Sequence, residues 1–329
     1  MRFVTFAPSP GIERFGIVLP DRRIADLEGL AAAALAREMP AGRAREIAGA
    51  LAPPDAQRFI EGGRVSLDAA RSALAFAAEC AVRGDAPRGP AGERIVFAES
   101  EVRLLAPVPR PRKFIAAGKN YFAHQQEMQA TNRPNAPKLP IAHVQFASTV
   151  VGPDSTVRFP KETRYMDYEV ELAVVIGKRA HRVSKEQAFD HVFGYTIYND
   201  ITDRDMYRGE YYEGGAIGCL GKNFPGFAPL GPYLCTPDEL GDAQNLGLRT
   251  RINGETRQDG NTSLMMFGIA DQIAHWSGIG LEPGDVLGSG TPGGVAAGRK
   301  KGEPVWWLKP GDVIECEIDR IGVLRTTIA

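Results

Sequence analysis

The sequence is short of cysteine, of net charge and of long apolar runs. Its four cysteines, Cys80, Cys219, Cys235 and Cys316, are scattered over 329 residues and form no Cys-x-x-Cys pair. That argues against a disulfide framework and predicts reduced, mostly structural thiols. Lys and Arg number 39 against 40 Asp and Glu, a formal net charge of −1. Such a balance offers no electrostatic footprint for nucleic acid or for an anionic membrane surface. No apolar run approaches the roughly 18 residues of a membrane helix. The first residues hold no basic segment leading into an apolar stretch. The expectation is a cytoplasmic protein with neither a nucleic-acid nor a membrane partner.

Two familiar loops are also missing. Gly293-Gly294-Val295-Ala296-Ala297-Gly298-Arg299-Lys300 has the glycines of a phosphate loop, but Arg299 stands in place of the lysine and Lys300 in place of the Ser or Thr that would reach Mg²⁺. Gly288-Ser289-Gly290 lacks the spacing of a serine nucleophile elbow. What Gly288 to Gly294 does offer is small residues whose backbone amides could hold a carboxylate or a developing oxyanion.

What is present divides into two textures. Short strands over Arg2 to Phe6, Arg14 to Leu19 and Arg23 to Asp26 precede Ala-rich helical stretches at Leu27 to Met39, Ala44 to Leu51 and Ser66 to Arg83. Gly84 to Gly92, rich in Gly and Pro, is the best linker candidate. After it come short apolar strands broken by Gly and Pro, and a helix expected over Ser263 to Trp276. The expected organisation is a small α/β N-terminal domain with linker (1–106) and a β-rich α+β catalytic domain (107–329).

Glu169-Val170-Glu171 is the most informative stretch. It opens the apolar run Leu172 to Ile176, which reads as a buried strand. Alternation along a strand puts both carboxylates on one face, where they repel unless a cation lies between them. The reading is a hard-metal site or a surface-facing strand start. Glu315-Cys316-Glu317 has the same spacing, but apolar and charged residues alternate around it, as in a strand with one wet face. Ser184 to Gln187 reads as a capping box opening a short helix to about His191, after which Gly194 to Asn199 is a second strand ending at Asp200. That arrangement could bring Asp200 to the pair. Three carboxylates without His or Cys favour Mg²⁺ or Mn²⁺, with Ca²⁺ able to stand in under crystal conditions.

His124 and Glu127 lie three apart on an expected helix, so the carboxylate can orient the imidazole as a water-activating base. A surface helix with a chance His/Glu pair is the plain alternative. His143, His181, His191 and His275 have no comparable neighbour and read as packing or surface residues.

In order along the chain, Gly118-Lys119-Asn120-Tyr121-x-x-His124, Asp167-Tyr168-Glu169-Val170-Glu171, Tyr198-Asn199-Asp200, Arg204-Asp205, Gly221-Lys222-Asn223-Phe224, Asp259-Gly260-Asn261-Thr262 and Gly290-Thr291-Pro292 make a set. It resembles the fumarylacetoacetate hydrolase family, over about residues 107 to 329. The first hundred residues resemble, more weakly, the small N-terminal domain many members carry. The resemblance implies a mixed β-sandwich roll, a divalent cation on Glu169, Glu171 and Asp200, a His124/Glu127 lid dyad, and substrate contacts from Lys222 and Thr291. Tyr121, Gln145, Arg204 and Tyr207 are further substrate-binding candidates. Homodimers or larger assemblies are usual. Two positions depart from the family's pattern: Gln145 stands where a Lys is general, and Tyr207 where Gln commonly follows the Arg. Both lose means of pairing a second carboxylate, which predicts a neutral or aromatic distal group.

The function expected on these grounds is hydrolysis of a carbon–carbon bond in a β-diketo acid of the acylpyruvate or fumarylacetoacetate type. His124, oriented by Glu127, would activate water, and Lys222 would stabilise the oxyanion. The alternative is a lyase or isomerase on a related 2-oxo acid (decarboxylase or hydratase, oxaloacetate or 2-oxo-pentenoate type), working through the same metal-stabilised enolate. A binding protein on the same scaffold is disfavoured by the intact chemical residues. The polar run Gln125 to Asn135 suggests a lid over about 120 to 138, mobile until substrate orders it.

Overall fold

The structure, a computed structural model, describes every residue except 130–136, 162, 209–219, 300–302 and 305, together with the side chains of all but Gln129, Tyr207 and Arg208 among the rest. The chain divides into two units, Met1–Pro109 and Arg110–Ala329.

The first unit pairs β1 (Arg2–Ser9), β2 (Ile12–Val18), β3 (Ile24–Asp26) and β4 (Val96–Phe97) in antiparallel order, with β5 (Arg103–Leu105) also on β1. Gly11, at φ 80°, makes the β1–β2 turn that a side chain would strain. Helices α1 (Leu27–Leu35), α2 (Ala41–Leu51), α3 (Ala56–Glu61) and α4 (Gly63–Val82) follow. On α4 the buried residues are Ser66, Ala70, Ala73, Ala77 and Cys80, a stripe of small side chains at helical spacing that lets helices approach closely. Phe3, Phe15 and Phe59 cluster with ring centroids 5.0 to 5.4 Å apart. The Gly/Pro stretch 84–92 is not a junction between units. It lies inside the first one, where Gly89 N–H bonds the Glu93 carbonyl and Arg88 bridges to Arg94.

Asp26 is a point of electrostatic tension in this unit. Burial pushes its carboxyl up to about 6, against a partial offset from Arg14, whose Nε lies 3.6 Å away. Its Oδ1 has no hydrogen-bond partner among the described residues. The folded state therefore holds this proton more tightly than the unfolded one. Stability falls as pH rises from about 4 to about 6, and the penalty is complete above that. Asp26→Asn should accordingly raise stability at pH 7 by about 1–2 kcal/mol, an advantage that shrinks toward pH 4. Thermal midpoints of both proteins across this range are the check, and a variant less stable at pH 7 contradicts it.

The second unit contains β6 (Phe114–Gly118), α5 (Phe122–Gln129), β7 (Ile141–Val144), β8 (Val150–Val151), β9 (Ser155–Val157), β10 (Met166–Asp167), β11 (Val170–Ile176), β12 (Val192–Asn199), β13 (Thr202–Asp203), α6 (Arg204–Arg208), β14 (Ala228–Cys235), α7 (Pro237–Leu240), β15 (Gly247–Ile252), β16 (Glu255–Asn261), α8 (Ile269–Trp276), β17 (Val286–Gly288), β18 (Val313–Ile318) and β19 (Gly322–Ile328). One sheet runs β8-β14-β12-β11-β17-β6-β7, the other β16-β15-β18-β19-β9. Strands β11, β12 and β14 pack against β15, β18 and β19, giving the expected mixed α+β sandwich roll. Every residue of β11 is buried, as its unbroken apolar run requires, while β18 alternates and its Glu317 pairs with Arg251 at 2.6 Å.

Two expected helices differ. Ser184 to His191 forms a turn and one 3₁₀ turn at Ala188–His191, and only half of the capping box is made, with Ser184 N–H donating to Gln187 Oε1. The helix expected from Ser263 begins at Ile269. Asn261 caps a separate 3₁₀ turn at Thr262–Leu264, and Gly268 breaks the run. Cys80, Cys235 and Cys316 are buried, and among the described residues no helix is long and apolar enough to cross a membrane. The expected lid run Gln125 to Asn135 falls largely outside the described residues.

Candidate active site

The β11–β12 ladder assembles the carboxylates. Val170 faces Asn199 across it, and just beyond, Asp200 N–H donates to the Glu169 carbonyl at 2.9 Å. The strands pair directly and antiparallel, so Asp200 arrives beside Glu169 through the register. Glu169, Glu171 and Asp200 each offer an oxygen within 4.8 Å of the others, and all three are buried. Glu171 also receives the Gly290 N–H at 2.9 Å. Gly288 on β17 must lack a side chain, since a Cβ there would stand 2.6 Å from Glu171 Oε2.

Two permanent cations are interleaved with these acids. Lys222 Nζ donates to Glu169 Oε2 at 2.8 Å and to Asp200 Oδ2 at 2.5 Å. Arg204 bonds Glu169 Oε1 and, at 2.7 Å, Asp167 Oδ2. Asp167 is placed by the small β10–β13 ladder and also accepts the amides of Ala296 and Ala297 at 2.7 and 3.1 Å. Four buried carboxylates thus face two fixed positive charges, which leaves two negative charges that one divalent ion would balance. Burial is the largest influence and works against ionising Glu169 and Asp200, but Lys222 together with Arg204 at the first and with His143 at the second outweighs it and holds both below the usual carboxylate range. Glu171 is the odd member. Burial, then Asp200 and Glu169, push it well above its ordinary range, and its Oε1 has no partner among the described residues. A buried, unpartnered carboxylate oxygen in an all-oxygen cluster fits a hard divalent cation.

Across the cleft, His124 on α5 places Nδ1 2.8 Å from Glu127 Oε1, and Glu127 Oε2 accepts Gly294 N–H at 2.9 Å. The dyad is a built pair on a buried face, with Nε2 left open to the cleft. Thr291 Oγ1 accepts from Gln258 Nε2 at 2.8 Å, so its own proton is available for a ligand. Gln258 also accepts Val170 N–H at 3.0 Å, tying β16 to the site. The cleft is lined by His124, Lys222, Arg204, Thr291, the three carboxylates, and also Lys119 and His143.

Other candidates lie elsewhere. Gln145 is not on the cleft wall. Its amide nitrogen donates to Thr149 Oγ1 and to the Lys222 carbonyl, each at 2.7 Å, so it supports Lys222 from behind. Tyr121 is buried with its hydroxyl unpartnered among the described residues, and burial and Glu171 push its ionisation far up. The Tyr207 side chain lies outside the described residues. The glycine loop's amides, read as a cradle for substrate, mostly serve the chain's own acids: Gly290 holds Glu171, Gly294 holds Glu127, and Ala296 and Ala297 hold Asp167. His143 escaped the sequence reading. Its Nε2 lies 3.5 Å from Asp200 Oδ2 because β7 pairs with β6, a contact that nothing in its local sequence signals. Asp167 was findable, since it continues the two-residue alternation of Glu169 and Glu171.

Comparison with known proteins agrees with this geometry. The model of the fumarylacetoacetate (FAA) hydrolase C-terminal domain matches residues 113–329. The chain is 39% identical over 274 residues to oxaloacetate tautomerase fahd2, mitochondrial, of Xenopus laevis, covering 83% of this chain and 77% of that protein. It is 41% identical over 238 residues to oxaloacetate tautomerase YisK of Bacillus subtilis, covering 71% and 75%. Among solved structures, maleylpyruvate hydrolase from Sphingobium sp. SYK-6 in complex with manganese(II) ion and pyruvate superposes with a TM-score of 0.69 at 26% identity, over 100% of this chain and 99% of that one.

Proposed function

The chain belongs to the fumarylacetoacetate hydrolase family, and on that footing we propose that it is a metal-dependent tautomerase, interconverting the keto and enol forms of a 2-oxo acid of the oxaloacetate class. The observation that carries the reading is the buried acid cluster with two uncompensated charges, set across one cleft from an oriented imidazole. Glu169, Glu171 and Asp200 would hold Mg²⁺ or Mn²⁺. When bound, such an ion polarises a 2-oxo acid and stabilises charge developing on the C2 oxygen.

The chain's own residues supply the rest. With Nδ1–H directed to Glu127, His124 Nε2 takes a proton from C3 and returns it to the C2 oxygen. A C–H bond breaks and an O–H bond forms, with no change of oxidation level. The Thr291 hydroxyl binds a carboxylate oxygen, and Lys222 keeps Glu169 and Asp200 ionised. Carbon–carbon hydrolysis, the first expectation from the sequence, becomes the second reading. It is supported by the same dyad and by the hydrolase neighbour, but relatives at 39 and 41% identity carry more weight than a neighbour at 26%.

Protein loaded with Mn²⁺ should speed both the keto–enol equilibration of oxaloacetate and the exchange of its C3 hydrogens with D₂O, followed by NMR. With an acylpyruvate in labelled water it should release no labelled carboxylic acid. Labelled acid without accelerated exchange would give the assignment to the hydrolase.

A further inference from the structure

We propose that Lys119 selects dianionic substrates by pairing its ammonium with the carboxylate at the end of the 2-oxo acid remote from the cation. The proposal rests on the 2-oxo acid reading above and adds the identity of the distal group. Of the permanent cations that line the cleft, Arg204 and Lys222 are already engaged by Asp167, Glu169 and Asp200. Lys119 also lines the cleft, half-buried, and among the described residues no carboxylate pairs with it. Among the described residues it is the cleft-lining permanent cation left without a carboxylate, and a ligand carboxylate is suited to fill that place. Gln145, where the sequence would place the determinant of the distal group, hydrogen-bonds behind Lys222 instead.

The backbone supports the same role. Lys119 sits at φ 54°, in the left-handed region that residues with a Cβ rarely adopt. The conformation is imposed by Asn120. Its side-chain nitrogen donates to the Phe267 and Ser289 carbonyls at 2.9 and 2.7 Å, its oxygen accepts Phe267 N–H at 2.9 Å, and its own carbonyl accepts Met266 N–H at 2.8 Å. A glycine would hold this turn without strain, so a lysine kept there points to work for its side chain. It stands between the end of β6 and the helix that bears His124. The distal anchor and the base therefore share one short segment, and a substrate held at both ends by Lys119 and the acid cluster presents its C3 between them.

The test is binding to the Mn²⁺-loaded protein, by calorimetry, of 3,3-dimethyl-2-oxosuccinate and 3,3-dimethyl-2-oxobutanoate. The two share a skeleton, differ as carboxylate against methyl, and lack the C3 hydrogen needed to enolise. The wild type should favour the diacid by about tenfold to a hundredfold, the scale of one charge-assisted contact. Lys119→Met should bring the ratio close to unity, and so should Lys119→Gly, which relieves the backbone but removes the charge. Lys119→Arg should keep most of the preference, which separates charge from damage to the fold. A ratio unchanged in Lys119→Met, or lost equally in Lys119→Arg, overturns the proposal. If both ligands bind the wild type equally, Lys119 has no such role and the 2-oxo acid reading stands. If neither binds, that reading falls.

Discussion

Glu171→Gln is expected to abolish activity while making the metal-free protein more stable. The two effects have one cause. Glu171 is the acid that burial and its neighbours most disfavour as an anion, with an oxygen that no described residue partners. In the absence of an ion its charge opposes folding, so the amide should raise the thermal midpoint by a few degrees, about 2–4 °C for each kcal/mol recovered. With an ion the sign reverses. The wild type should gain stability with added Mn²⁺ by mass action and the variant hardly at all, while turnover falls roughly 10³-fold or more for the several kcal/mol that the ion contributes. Full activity in excess chelator, or an undiminished Mn²⁺ response in the variant, would refute the site.

His124→Ala should separate chemistry from ion binding. If His124 moves the proton, its loss costs about 10² to 10⁴ in turnover, and the Mn²⁺-induced rise in thermal midpoint stays as in the wild type. Glu127→Gln is a milder companion. Glu127 accepts both the His124 Nδ1–H and the Gly294 N–H, whereas an amide has one acceptor oxygen, so one of these donors must go without. A loss of about tenfold to a hundredfold is expected, with partial detachment of the loop. Equal activity of His124→Ala and wild type in C3 exchange would move the base to another residue.

The acid cluster was legible because strand alternation is a local rule: Glu169 and Glu171 share a face whatever the rest of the chain does. Asp200 was legible only in part. Its position at a strand end can be read, but its meeting with Glu169 depends on the antiparallel register. His143 and the placement of Gln145 depend on which strands become neighbours, and nothing local to β7 announces that it pairs with β6. The apolar spacing continues through Met265 and Met266, which extends the expected helix back to Ser263, while Gly268 and the hydrogen bond that Ser263 N–H donates to Asn261 Oδ1 favour a separate turn. The change of texture near residue 107 lies close to the division after Pro109, whereas 84–92, which has the composition of a linker, is folded into the first unit.

The ladder that brings Asp200 to Glu169 also decides where this domain tolerates added sequence. The acids stand at one end of it. The other end, where Ile176 faces Val192, is about 20 Å off at 3.4 Å per residue, and the exposed turn Ser184 to Gln187 lies beyond. Chain length there is decoupled from the acids, because the register between is held by cross-strand hydrogen bonds. A reporter peptide of about a dozen residues spliced between Lys185 and Glu186 should be carried without loss of the ion. One residue inserted between Val170 and Glu171 would turn the two glutamates to opposite faces.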